Sequence, residues 1–134
     1  MSVYLDTAPL IYLVEGTPAR SDVVESQIRN WIESGEDLVT SCMTLMELLV
    51  HPKRRGDRRL ENQYRLYLER LLALPLQPID ERVAEKAAEI RARHGFKSPD
   101  SLQLAAAVCC GCSIFYSNDQ TLMKFDELDV VLVG

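Results

Sequence analysis

The sequence predicts an α/β fold built on a mostly parallel central sheet, and two observations carry that expectation. Short runs of strand-forming residues alternate with longer segments whose apolar residues recur at helical spacing. The chain is 134 residues long with 47% apolar and 26% charged residues, enough to bury about two thirds of its unfolded surface in a single domain without a disulfide or metal staple. Disordered and fibrous architectures are excluded by the same composition.

Taken in order, Ser2 to Leu5 is the first strand, and Asp6-Thr7-Ala8-Pro9 places a proline in the first turn of a helix. Thr17-Pro18 opens a second helix that runs to about Ser34, with Val24, Ile28, Trp31 and Ile32 on its apolar side and Gly35 as its stop. Asp37 to Ser41 is the second strand. Thr44 and Glu47 have the spacing of a capping box, so a short helix is expected from Thr44 to Val50, ended by Pro52. From Asp57 to Leu74 the residues Leu60, Tyr64, Tyr67, Leu68, Leu71 and Leu72 form a helical stripe. Leu76 to Ile79 reads as a short strand, and Asp80 caps a helix that runs to His94 before Gly95. Ser98-Pro99-Asp100 supplies an N-cap, a first-turn proline and a first-turn acid for a buried helix over Leu102 to Cys110. Ser113 to Tyr116 and Asp129 to Val133 are the last strands.

The apolar stretch from Leu102 to Tyr116 is broken by Gln103, Gly111 and Ser113 and is shorter than the roughly 20 residues that cross a bilayer, so no membrane span is expected. The opening MSVYLD lacks a basic stretch and carries an acid at position 6, which argues against a cleaved leader and for a cytoplasmic location. Of the cysteines Cys42, Cys109, Cys110 and Cys112, the last three lie in an apolar run near a helix end. That placement suits reduced packing residues better than a redox or zinc pair at Cys109 and Cys112.

Asp6 and Asp119 directly follow strands, and in a parallel sheet all strands finish at one edge, where α/β proteins place their sites. Glu47 and Asp100 lie in the first turns of helices and face toward the same edge. Four such carboxylates repel one another unless a cation neutralises them, and an all-oxygen set suits Mg²⁺ or Mn²⁺ better than zinc. The same residues also fit plainer roles, Glu47 as the capping partner of Thr44 and Asp100 as a helix-favouring acid behind Pro99.

Four segments, YLDTAPLIYL, SCMTLMELL, KSPDSLQLAAA and FYSND, stand in this order along almost the whole chain, and together they resemble the PIN-domain ribonucleases, more narrowly the VapC-type toxins. The resemblance implies a three-layer α/β/α sandwich, with residues 1–134 forming a single PIN domain. It also implies a Mg²⁺- or Mn²⁺-dependent endoribonuclease that leaves 5′-phosphate and 3′-hydroxyl ends. Such toxins are held inactive by a cognate VapB-type antitoxin, whose basic side chain would pair with the acids, and they self-associate, here through the early helices that include Trp31. Carried over by position, the family's acids and metal ligands fall on Asp6, Glu47, Asp100 and Asp119. Its small hydroxyl residues fall on Thr7 and Ser117, and Asn118 fills the middle of a motif usually read T-N-D. Many relatives carry a further acid shortly afterwards, where Gln120, Thr121 and Leu122 stand here, so a second tightly held ion is not expected.

The net charge is −5, from 15 Lys plus Arg against 20 Asp plus Glu, so any grip on RNA phosphates must be local. The segment HPKRRGDRR supplies it in Lys53, Arg54, Arg55, Arg58 and Arg59, which serve equally well as a solvated helix junction. His51 and His94 have no nucleophile at useful spacing, and Trp31, Tyr64 and Tyr67 suit a core or dimer interface better than base stacking. An aspartate-based phosphatase would need a second Asp where Ala8 stands, and a receiver domain would need an acidic pair and a late lysine that the strands lack. A catalytically degenerate domain that binds RNA or protein is the remaining alternative.

Overall fold

The computed structural model describes residues 1–134. Its elements run β1 (Ser2–Leu5), α1 (Thr7–Glu15), α2 (Pro18–Glu33), β2 (Asp37–Val39), α3 (Cys42–Arg55), α4 (Arg58–Leu71), α5 (Glu81–His94), α6 (Ser98–Cys109), β3 (Ile114–Ser117), a 3-10 turn over Gln120–Lys124, and β4 (Asp129–Leu132). The strands pair in the order β2-β1-β3-β4, and every pairing is parallel.

Alternation along the strands divides the interior into two cores, because successive side chains leave a strand on opposite faces. Val3 and Leu5 join Leu10, Val24, Ile28, Trp31, Leu48, Tyr64 and Leu68 under α1 to α4. Tyr4 and Phe115 join Val83, Ala87, Ile90 and Leu104 to Ala107 under α5 and α6. The molecule is therefore a three-layer α/β/α sandwich, as the resemblance implies. No helix is long and apolar enough to cross a membrane.

The order also locates a crevice. From β1 the chain crosses to β2 on one side and later to β3 on the other, so the direction of winding reverses between β1 and β3. Ligands of open parallel sheets sit at the carboxyl ends of the strands flanking such a reversal. Asp6 immediately follows β1, and Asn118-Asp119 immediately follows β3.

Several sequence expectations are corrected. Helix α3 starts at Cys42 and is capped by Ser41, whose side chain accepts from the Met43 N–H, so Thr44 and Glu47 are not a capping box. Pro52 does not end it. The ring is buried within α3, and the helix continues to Gly56, whose left-handed backbone (φ 65°) supplies the stop. A proline forfeits one backbone bond to the preceding turn, and here the buried ring outweighs that local signal. Leu76 to Ile79 is not a strand and contributes only a single bridge, between Ser41 and Gln77. Ser98 is the first residue of α6 rather than its cap; Lys97 occupies that position with no side-chain bond. Ile32 points outward at 51% exposure, while Trp31 is buried with its ring edge-on to Tyr116. The 3-10 turn over Gln120–Lys124 has no counterpart in the periodicity reading.

Candidate active site

Asp6 is the N-cap of α1. Its Oδ1 accepts from the Thr7 N–H at 2.8 Å and its Oδ2 accepts from Ser117 Oγ at 2.7 Å. Ser117 Oγ in turn accepts from the Asp119 N–H at 3.1 Å, so one hydroxyl ties the ends of β1 and β3 together. Asp119 Oδ1 caps the 3-10 turn by accepting from the N–H and the hydroxyl of Thr121, at 3.0 and 2.7 Å. The position where a further acid was wanting thus holds a residue that orients Asp119.

Glu47 reaches the same edge from the second turn of α3. Its Oε1 accepts from Thr7 Oγ1 at 2.8 Å and from Gln103 Nε2 at 2.7 Å. Gln103 is a residue the sequence reading passed over as an interruption in an apolar run. It is buried in α6, and its amide is saturated. Oε1 accepts from the Tyr4 hydroxyl and from Thr44 Oγ1 (3.1 Å), while Nε2 donates to Glu47 and to Thr7 Oγ1 (3.2 Å). A carboxylate can only accept, which fixes the amide's orientation. A polar residue three positions after Asp100, in an otherwise apolar helix, was the available signal.

Asp100 accepts no hydrogen bond and is held in place by the first turn of α6. Its carboxyl is pushed up, by burial first and then by the charges of Asp119 and Glu47, with Lys97 opposing. Asp6 is pushed up to about 6, chiefly by burial and further by Glu47 and Asp100, against the stabilising bonds from Ser117 and the Thr7 N–H. The four acids therefore feel one another across a shared half-buried crevice.

No three His, Cys, Asp or Glu side chains converge into a ready cage for an ion. The donor set nevertheless fits a hard divalent cation. It is all oxygen, its members are electrostatically frustrated, and Glu47 Oε2, Asp119 Oδ2 and both oxygens of Asp100 have no hydrogen-bond donor within the protein. Mg²⁺ in particular keeps several waters and needs only one or two direct carboxylates.

The basic segment lies elsewhere. Lys53 is six residues beyond Glu47, about 9 Å along α3, and is paired with Glu61 at 2.8 Å. Arg55 bonds His51 at 3.2 Å, whereas Arg54, Arg58 and Arg59 are exposed and unpaired. Asn118 is exposed, and its Nδ2 donates to Tyr12 Oη at 2.7 Å. His94 is enclosed by Phe96 and Phe125, and neither histidine bonds any of the four acids.

Comparison with known proteins agrees with this architecture. The PIN domain family model matches residues 3–129. A chain of VapBC2 from Rickettsia felis, solved bound to a DNA fragment from its promoter, superposes with a TM-score of 0.83 at 14% identity, covering 100% of both chains. A chain of a toxin-antitoxin complex from Klebsiella pneumoniae gives a TM-score of 0.75 at 22% identity, covering 96% of this chain and 95% of the other. VapC20 of Mycobacterium tuberculosis, a toxin that cleaves the sarcin-ricin loop, gives 0.67 at 20% identity, covering 94% and 98%. No curated protein matches the sequence.

Proposed function

Since the chain belongs to the PIN domain family, we propose that it is a divalent-metal-dependent endoribonuclease and the toxin of a toxin-antitoxin pair. The observation that carries this reading is the charge influence among the acids near the sheet's reversal point: Asp6, raised to about 6 chiefly by burial, feels Glu47 and Asp100, and Asp100 feels Asp119 and Glu47. These four residues would hold Mg²⁺ or Mn²⁺, with water filling the rest of the coordination shell. The ion supplies Lewis acidity toward the phosphodiester and a more acidic water.

The chain's own part is positional. Ser117 holds the Asp6 carboxylate and the Asp119 backbone in one register. Thr7 and Gln103 fix one oxygen of Glu47 and leave the other without a donor. Tyr4, its phenol pushed up by burial, stays neutral and donates to Gln103, so no additional negative charge enters the site.

Hydrolysis at such a site leaves a 5′-phosphate and a 3′-hydroxyl, because attack by the 2′-hydroxyl would need general acid and base groups that the histidines do not supply here. Sequencing of newly formed RNA ends after induced expression tests both activity and target. The expected ends ligate without phosphatase or kinase treatment, and 2′,3′-cyclic phosphates at fresh ends would refute the mechanism.

RNA is gripped by the basic junction between α3 and α4, principally through Arg54, Arg58 and Arg59, with Lys53 and Arg55 partly committed to Glu61 and His51. Replacing Arg54, Arg55, Arg58 and Arg59 with Gln is expected to weaken RNA binding with little change in turnover at saturating RNA. Each lost phosphate contact lowers the slope of log affinity against log salt by about 0.7 for a single strand. An unchanged slope would assign this segment to solvent or to a protein partner.

The partner is a VapB-type antitoxin. Solved relatives of this fold include VapBC and FitAB complexes, and an anionic crevice accepts a guanidinium in bidentate fashion. Substituting each arginine of the co-expressed partner's tail is expected to restore cleavage at one position. If none does, inhibition acts by covering the RNA path. Self-association through α2 would use the exposed Ile32 rather than the buried Trp31.

A further inference from the structure

We propose that the groove between α2 and the C-terminal end of β4 is a subsite for one unpaired nucleotide next to the scissile phosphate, with Arg20 on the phosphate and Tyr116 on the base edge. The inference deepens the nuclease reading and rests on it for the identity of the strand.

Arg20 lies over the ring of Tyr12, 4.5 Å from its centroid, and its guanidinium makes no ion pair or hydrogen bond within the protein. Tyr12 is anchored in turn by Asn118, which stands between the two site residues Ser117 and Asp119. A cation is thereby held beside the acidic edge by an aromatic face rather than by a carboxylate, and all its donors remain available. Whichever way the Asn118 amide is turned, one end is bound to Tyr12 and the other is available to a ligand.

Arg20 and Asn118 line a cavity of about 230 Å³ together with Val23, Val133 and Gly134. A second cavity, of about 410 Å³, also touches Val23 and Gly134, so the two adjoin; its lining includes Asp22, Gln27, Asn30 and Tyr116. Tyr116 is 1% exposed, its ring packs on Trp31, and its hydroxyl is buried without a hydrogen-bond partner. A buried, unsatisfied hydroxyl costs stability unless something bonds it. Across the two cavities Arg20 is the one cation, and it lines the smaller one with Asn118, the neighbour of Asp119, whereas Tyr116 lines the larger. That division puts the phosphate at Arg20 and the base toward Tyr116. Sequence-specific readers of single-stranded RNA splay bases out in this way and bond their edges.

The test uses the full chain, a short single-stranded RNA of mixed sequence in chelator to read binding without hydrolysis, and sequencing of cut sites with metal present. Arg20→Gln is expected to lower affinity and to reduce the salt slope by about 0.7, as loss of one phosphate contact predicts. Arg20→Lys, keeping a point charge, is expected to restore the slope. Tyr116→Phe is expected to weaken RNA binding roughly 2- to 10-fold, as loss of one hydrogen bond predicts, and to flatten the base preference at one position beside the cut. Its melting temperature should be unchanged or higher, because only an unpartnered hydroxyl is removed. A hydroxyl with a purely structural role would move stability and leave base preference alone.

The proposal is overturned if wild type cuts RNA while both variants keep its affinity, salt slope and base preference. It is also overturned if Tyr116→Phe melts lower, or if the variants weaken only the complex with the antitoxin, which would make the groove a protein interface. If wild type cuts no RNA but both variants lose RNA binding as described, the nuclease reading fails and the subsite stands.

Discussion

Asp6→Asn is expected to lower RNA cleavage by more than about a hundredfold, the scale on which losing a metal-site carboxylate exceeds outer-shell changes, while stabilising the metal-free protein at neutral pH. The second half follows from the carboxyl's displacement from 3.8 to about 6, caused first by burial. The folded state binds this proton more tightly than the unfolded chain does. Asp6 therefore favours folding most at acid pH, and that contribution is lost as pH rises from about 4 through about 6. Above that range the folded protein carries the full penalty, at most about 3 kcal/mol. An asparagine keeps an oxygen for the Thr7 N–H and removes the charge. Chelator-treated Asp6→Asn should accordingly melt higher than wild type near pH 7.5, with the gap closing near pH 4. Added Mg²⁺ should raise the melting temperature of wild type and leave the variant nearly unmoved, because only wild type gains a native-state ligand. A variant that melts lower at neutral pH and cuts RNA normally would refute both the electrostatic account and the site.

Gln103→Leu is expected to cost about 2 to 4 kcal/mol of stability, because it leaves Tyr4, Thr44, Thr7 and Glu47 each short of a partner in a buried network. Leucine fills much the same space, so the loss reports hydrogen bonding rather than a cavity. Cleavage should also fall roughly 10- to 100-fold at saturating RNA, as for residues that orient a metal ligand. Urea titration measures the first effect and single-turnover kinetics the second. The decisive comparison is the double variant with Glu47→Gln. If Gln103 acts through Glu47, the activity losses will be far from additive; additive losses would leave Gln103 as a core residue with no part in positioning.

Much of this fold is written locally. The strands end within a residue or two of where the β-forming runs end, Asp80 and Gly95 bracket α5 as their side chain and backbone preferences require, and Asp57 caps α4. Asp6 and Asp119 were legible as candidate site residues because parallel strands must finish together. Glu47 was ambiguous until Ser41 proved to be the cap of α3, which released Glu47 from a capping role and left its bonds to Thr7 and Gln103 as its structural commitments.

What the sequence determined by itself was the alternation of elements, their caps, and the chemistry available at the sheet's edge, since these depend on neighbours a few residues apart. Tertiary structure alone decided which face Ile32 and Trp31 take, whether Pro52 stops a helix, and that Gln103 meets Tyr4, Thr7, Thr44 and Glu47 from 99, 96, 59 and 56 residues away. The physical reason is range: caps and periodicity act within a turn or two of chain, whereas burial and the pairing of buried polar groups are settled only when distant segments exclude water together.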